Sequence, residues 1–189
     1  MDSLDANVSP TVSAEQWLTN FASALQTRDP SRLAGLFAED ECYWRDILAF
    51  TWDLHTTAGA DTIADRLLPA VAGVAPRKLQ LAPGRAPPRL VKRAGTAAIE
   101  ALFTFETAVG PCNGVVRLVP DRGGLRAWTL MTTLDEIRGH EDLASGRHWQ
   151  DVDWKRNFGG ENWADRRRRE AAYAERDPEV LVAARRRPA

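Results

Sequence analysis

The chain has 189 residues, 44% of them hydrophobic, enough for one ordinary domain of roughly 100 to 150 residues with extra segments. Its 25 basic and 26 acidic residues nearly cancel, which excludes the global field that recruits nucleic acid or anionic membrane and leaves a polyanion only a local patch to bind. No run approaches the roughly 20 apolar residues of a membrane span. The start, Met1 to Val12, lacks the basic and then apolar pattern of a signal peptide, and Cys42 and Cys112 form neither a disulfide framework nor a C-x-x-C pair, so a reducing cytoplasm is expected.

In chain order, residues 1–12 are expected to be disordered. Ser13-Ala14-Glu15-Gln16 reads as a capping box, and Trp17, Phe21 and Leu25 recur at every fourth position, predicting a helix with one buried stripe. Asp29-Pro30 ends it and opens a second helix, with aspartate at the N-cap and proline at the first helical position. After the acidic break Glu39-Asp40-Glu41, the run Cys42 to Asp53 is dense in aromatic and β-branched residues and predicts one or two strands. From Asp61, the residues Ile63, Leu67, Leu68 and Val71 follow helical spacing, with Pro69 marking a kink or an early end. Ala82 to Pro88 reads as a loop.

Three strands follow. In Ile99 to Thr107 the residues Ile99, Ala101, Phe103 and Phe105 share one face and Glu100, Leu102, Thr104 and Glu106 the other. Asn113 to Val119 and Leu125 to Leu134 are joined by Pro120-Asp121-Arg122-Gly123-Gly124, the composition of a hairpin turn. Glu106 and Arg117 are expected to form a cross-strand ion pair. Helices first and an antiparallel meander last define an α+β fold. Beyond Ile137, scattered tryptophans predict an extended arm with Trp149, Trp154 and Trp163 packed on the domain or a partner, then an arginine-rich helix over Asp165 to Arg176 that stops before Pro178. Arg166 to Arg169 is diluted by acids and reads as a solvated face. His140-Glu141 lacks the second histidine of a zinc motif, because residue 144 is Ala144.

The element order, with Cys42-Tyr43-Trp44-Arg45-Asp46, Phe50-Thr51-Trp52-Asp53, Trp128-Thr129-Leu130 and Gly160-Glu161-Asn162-Trp163, resembles the SnoaL-like leader domain of flavin-containing monooxygenase-like proteins, in the nuclear transport factor 2 superfamily. The resemblance implies a cone-shaped curved antiparallel sheet against N-terminal helices over residues 13–138. Residues 139–189 would be an arm, a helix and the start of a flavin-binding domain. Asp177 to Val182 matches the approach to a dinucleotide loop, but Ala183-Ala184-Arg185-Arg186-Arg187 stands where G-x-G-x-x-G is required. The chain itself is therefore expected to hold no cofactor and to be truncated, with FAD and NADPH belonging to the fused parent.

The same resemblance makes Asp46, Asp53 and His55 the candidate catalytic residues, in a pocket walled by Tyr43, Trp44, Trp52, Phe103 and Trp128. A desolvated aspartate there would act as a base next to a carbonyl carbon. Against this stands the reading that Arg45 pairs with one aspartate and the aromatics are core. No metal site is expected. The leading expectation is an accessory, non-catalytic module docked on a flavin-binding domain. The alternatives are a free-standing isomerase, cyclase or hydrolase using a pocket carboxylate, and a homodimerising scaffold.

Overall fold

The computed structural model describes residues 9–140 and 161–174, which fall in two units treated separately. The first opens with α1 (Pro10–Thr27) and α2 (Pro30–Ala34), continues through β1 (Tyr43–Ile47), β2 (Leu54–Ala58) and α3 (Ala60–Val74), and ends in β3 (Arg77–Leu81), β4 (Arg89–Arg93), β5 (Thr96–Glu106), β6 (Pro111–Asp121) and β7 (Gly124–Leu134). This is the α+β architecture expected, with seven strands in one curved sheet. The order is β2-β1-β7-β6-β5-β3, and β4 shares the β5 edge with β3. Among the pairings of these seven strands only β1–β7 is parallel; it inserts the first strand beside the last.

Helix α1 begins earlier than the Ser13 capping box predicts. Pro10, with its φ preset for helix, takes the first position, Ser9 is the N-cap without a side-chain bond, and Ser13 is already inside the first turn. The Asp29 cap is found as expected: its Oδ1 accepts the Arg32 amide at 3.0 Å. Pro69 neither ends nor breaks α3, which runs on to Val74. It sits on the exposed side, where the carbonyl it leaves unbonded faces water, while Ile63, Ala64, Leu67, Val71 and Val74 anchor the opposite side. Strands β3 and β4 escape the sequence reading because they are five-residue edge strands rich in basic side chains, with no buried face to impose a period.

The long strands alternate as read. Ile99, Ala101, Phe103 and Phe105 are all buried, facing the helices. Register follows from the two hairpins. The β6–β7 turn places Arg122 and Gly123 at positive φ, 48° and 73°, the twist a two-residue hairpin needs and glycine adopts freely. Across β5 and β6, Glu106 faces Pro111 and Glu100 faces Arg117. The expected Glu106–Arg117 pair is therefore corrected: Glu106 bonds Lys78 at 2.7 Å and Arg77 at 3.0 Å, and Arg117 bonds Glu100 at 2.9 Å.

The core fills the concave side of the sheet. Trp17 and Phe21 of α1 stack at 4.9 Å, and Trp17 meets Phe37 edge-on at 6.4 Å while its Nε1 donates to the Leu36 carbonyl. On the sheet, Trp44, Phe50, Phe105 and Phe103 form a continuous ring series with centroid spacings of 6.0, 5.5 and 5.9 Å. Phe103 lies directly over its cross-strand partner Gly114, where an added Cβ would fall 2.1 Å from the ring; only glycine admits it.

In the second unit, α4 (Trp163–Ala171) overlaps the arginine-rich helix predicted over Asp165 to Arg176 but starts two residues earlier and ends at Ala171, well before Pro178; Asn162 caps it, its Oδ1 accepting the Ala164 and Asp165 amides. Trp163 is exposed, with the Arg167 guanidinium 5.1 Å above its ring. The expectations for residues 1–8, Glu141, Trp149, Trp154 and the Asp177 to Arg187 segment lie outside the described residues.

Candidate functional site

Strand β1 alternates exposed and buried, so Trp44 and Asp46 point to the core while Tyr43 and Arg45 point outward. The parallel register sets Leu130 beside Trp44 and Thr132 beside Asp46. A relay follows: Trp44 Nε1 donates to Thr132 Oγ1 at 3.0 Å, and Thr132 Oγ1 donates to Asp46 Oδ1 at 2.8 Å. The other oxygen, Oδ2, accepts the Thr51 amide and hydroxyl, each at 2.7 Å, and the Phe50 amide at 3.1 Å. Asp46 is 1% exposed. Its carboxylate ties down the β1–β2 connection, where Leu48 and Trp52 hold φ of 64° and 55°, a conformation that bulky side chains rarely adopt.

The antiparallel register of β1 with β2 pairs Asp46 with His55 and Trp44 with Thr57. His55 is thus the cross-strand neighbour of Asp46 on the core-facing side, and it is half-buried where Asp46 is fully buried. Asp53 is exposed. Its Oδ1 caps the Leu54 amide at 2.8 Å, and Oδ2 meets Arg66 of α3 at 3.5 Å. Arg45 pairs with neither aspartate; it reaches outward to Thr56 Oγ1 at 2.9 Å.

The five residues expected to wall a pocket are not brought together. Trp44 and Phe103 are core, at about 1% exposure each, whereas Tyr43 and Trp52 are exposed. Trp128 is the extra residue of a bulge: Leu118 pairs with Ala127 and Arg117 with Thr129, so Trp128 drops out of the alternation and lies apart from the core cluster. No sequence signal announces a bulge. Thr132, which completes the Asp46 site, was equally invisible, because it stands 86 residues away and only β1–β7 pairing brings it in; Thr51 lies in the same short run, five residues on, but its role as a donor was not read there.

Two clefts are bounded by described residues. One, of about 410 Å³, lies between α2, the start of α3 and the β6–β7 turn. Glu39 pairs there with Arg122, Asp121 accepts the Glu39 amide at 2.9 Å, and Arg126 Nε makes no hydrogen bond but lies 3.9 Å from Asp121 Oδ2. The other, of about 590 Å³, lies between the ends of α1 and α3 and β3, with Leu25, Val71 and Leu79 in its lining. Neither is lined by Asp46, Asp53 or His55. Both cysteines are buried, and burial pushes the Cys112 thiol up to about 11, so it stays protonated at neutral pH.

No protein-family model matches the chain, and no curated protein matches it. Solved structures do. A domain of unknown function with a cystatin-like fold from Nostoc punctiforme superposes with a TM-score of 0.52 at 11% identity, over 73% of this chain and 85% of that chain. An NTF2-like protein with a cystatin-like fold from Novosphingobium aromaticivorans gives 0.47 at 14% identity, over 72% and 90%. A second Nostoc punctiforme protein of unknown function, also cystatin-like, gives 0.46 at 11%, over 66% and 90%. At such identity the likeness shows the fold alone, a cystatin-like α+β fold. These likenesses carry no link to a flavin-dependent monooxygenase and none to truncation. Among the described residues no helix is long and apolar enough to cross a membrane.

Proposed function

We propose that the chain is a small-molecule domain in which His55 is the proton-transferring group and Asp46 anchors the β1–β2 connection without taking the proton. The observation that carries this reading is the β1–β2 register, which makes half-buried His55 the cross-strand partner of Asp46. A general base needs both reach and a free lone pair. Asp46 has neither: it is shielded from solvent, and its oxygens are occupied by two threonine hydroxyls and two amides. His55 has the reach. The reaction class that suits a lone imidazole in this fold is proton abstraction next to a carbonyl, the isomerase or cyclase chemistry implied by the sequence resemblance. Screening wild type and His55→Gln against ketosteroid-like and polyketide-like carbonyl compounds tests it. Turnover by the wild type that falls about 10²-fold or more in the variant is expected; equal turnover removes His55 from the mechanism.

A second reading is favoured by a different observation. The Trp44, Phe50, Phe105 and Phe103 rings occupy the concave side where a ligand of such a domain would enter. That packing suits a non-catalytic module that docks, alone or as a homodimer, on a flavin-binding partner which itself holds FAD and NADPH. Under this reading neither protein turns over any carbonyl compound, and the purified chain remains colourless with FAD.

A further inference from the structure

Between Asp65 and Glu100 the sequence contains no acidic residue but seven basic ones: Arg66, Arg77, Lys78, Arg85, Arg89, Lys92 and Arg93. The fold gathers two of them, with Arg117, around a single carboxylate. Register sets Arg89 of β4 and Arg117 of β6 on either side of Glu100 in β5, and Arg93, two pleats along β4, reaches back to it. Glu100 Oε1 accepts Arg89 Nη2 at 3.3 Å and Arg93 Nη2 at 3.2 Å; Oε2 accepts Arg117 Nε at 2.9 Å and Arg93 Nε at 3.4 Å. The carboxylate is nearly buried, at 9% side-chain exposure, but the arginines are not, at 57%, 47% and 31%.

Neutralising a buried carboxylate requires one bidentate guanidinium. Three converge here, so the cluster keeps two positive charges on the sheet face turned away from the core. Their mutual repulsion is a cost that serves Glu100 no further. Arg89 spends one of its five N–H donors on Glu100 and Arg93 two, leaving planar forks open to solvent among the described residues. Glu100 acts as the template that orients them. A residual double positive charge offered through guanidinium forks complements a dianion with three oxygens, which is a phosphate monoester at neutral pH. A single carboxylate would leave half the charge unmatched.

We infer that Arg89, Arg93 and Arg117, oriented by Glu100, form a binding site for a phosphate monoester group. The group could be offered by a phosphorylated small molecule or by a phosphorylated side chain, and the experiment separates these sources. The full chain is titrated at pH 7 with phenyl phosphate, with a phosphoserine heptapeptide and with benzoate, following the arginine Nε–H resonances by ¹⁵N NMR. Saturable shifts at these three arginines with phenyl phosphate are expected, and benzoate should bind at least about ten-fold more weakly. Saturation by the peptide alone upholds the chemistry and assigns it to a protein segment. Arg89→Gln with Arg93→Gln should weaken binding about ten-fold or more and leave the Arg117–Glu100 pair intact; Arg89→Gln alone serves if the double variant misfolds. Arg77→Gln with Lys78→Gln removes the same charge around Glu106 and should change nothing. Absence of saturation with either phosphate probe, equal binding of benzoate, or equal weakening by both double variants would overturn the inference.

Discussion

Asp46 collects more hydrogen bonds than any other side chain on the concave side, and its donors are themselves buried or half-buried. Replacing it by asparagine keeps the shape but turns one acceptor oxygen into a donor, which then confronts either the Thr51 amide or the Thr132 hydroxyl. Leaving buried donors unmet costs about 1–3 kcal/mol. Asp46→Asn is therefore expected to lower Tm by on the order of 5–10 °C, read by thermal denaturation, whereas His55→Gln, with no hydrogen-bonded partner among the described residues, should leave Tm within about 2 °C. A melting curve for Asp46→Asn that superposes on wild type would show that the carboxylate does not hold the β1–β2 connection. The pair of measurements separates an anchoring role from a chemical one at adjacent residues.

Among the strands, the β4–β5–β6 row concentrates the titratable charge. Burial alone would raise the Glu100 carboxyl, but hydrogen bonds from Arg93, Arg117 and Arg89 outweigh it and hold the group below the usual carboxylate range. Lys78 and Arg77 lower Glu106 in the same direction. Because the folded pKa lies below the unfolded value of roughly 4.3, the unfolded chain takes up the proton first as the pH falls. The stabilisation is present above about pH 4.3 and is lost as the pH drops through the folded value. Chemical denaturation of wild type between pH 6 and 3 should show this decline, and Glu100→Gln should flatten it, with Glu106 supplying the remainder. An identical slope in the variant would mean that the arginine cluster does not act on Glu100 in solution.

At the scale of the molecule, the core cluster among the described residues runs from Ala14 to Leu130, and the described hydrophobics packed on it extend to Leu134. Each element of the sheet is also closed within that span. A chain ending after His140 is accordingly expected to fold alone, with one cooperative thermal transition within about 5 °C of the full chain and the same far-UV circular dichroism. A molten profile for that shorter chain would show that residues beyond 140 supply part of the core.

Local chemistry made much of this readable in advance. The i, i+4 stripe of Trp17, Phe21 and Leu25, the Asp29-Pro30 cap, and the strict alternation of Ile99 to Phe105 each depend on neighbours within a few residues, so they determined the helices, the long strands and the α+β class. The aspartate and histidine candidates were also named from one short run. Their roles were not, because a role depends on which distant residue arrives, as Thr132 does at Asp46; in the same way Arg117 meets Glu100 rather than Glu106, and Gly114 lies beneath Phe103. Strand register sets those meetings, and register is a property of turns and bulges acting at a distance. A one-residue bulge at Trp128 removed it from the expected pocket, and the parallel β1–β7 pairing assembled the Asp46 site, neither of which has any signature in the residues themselves.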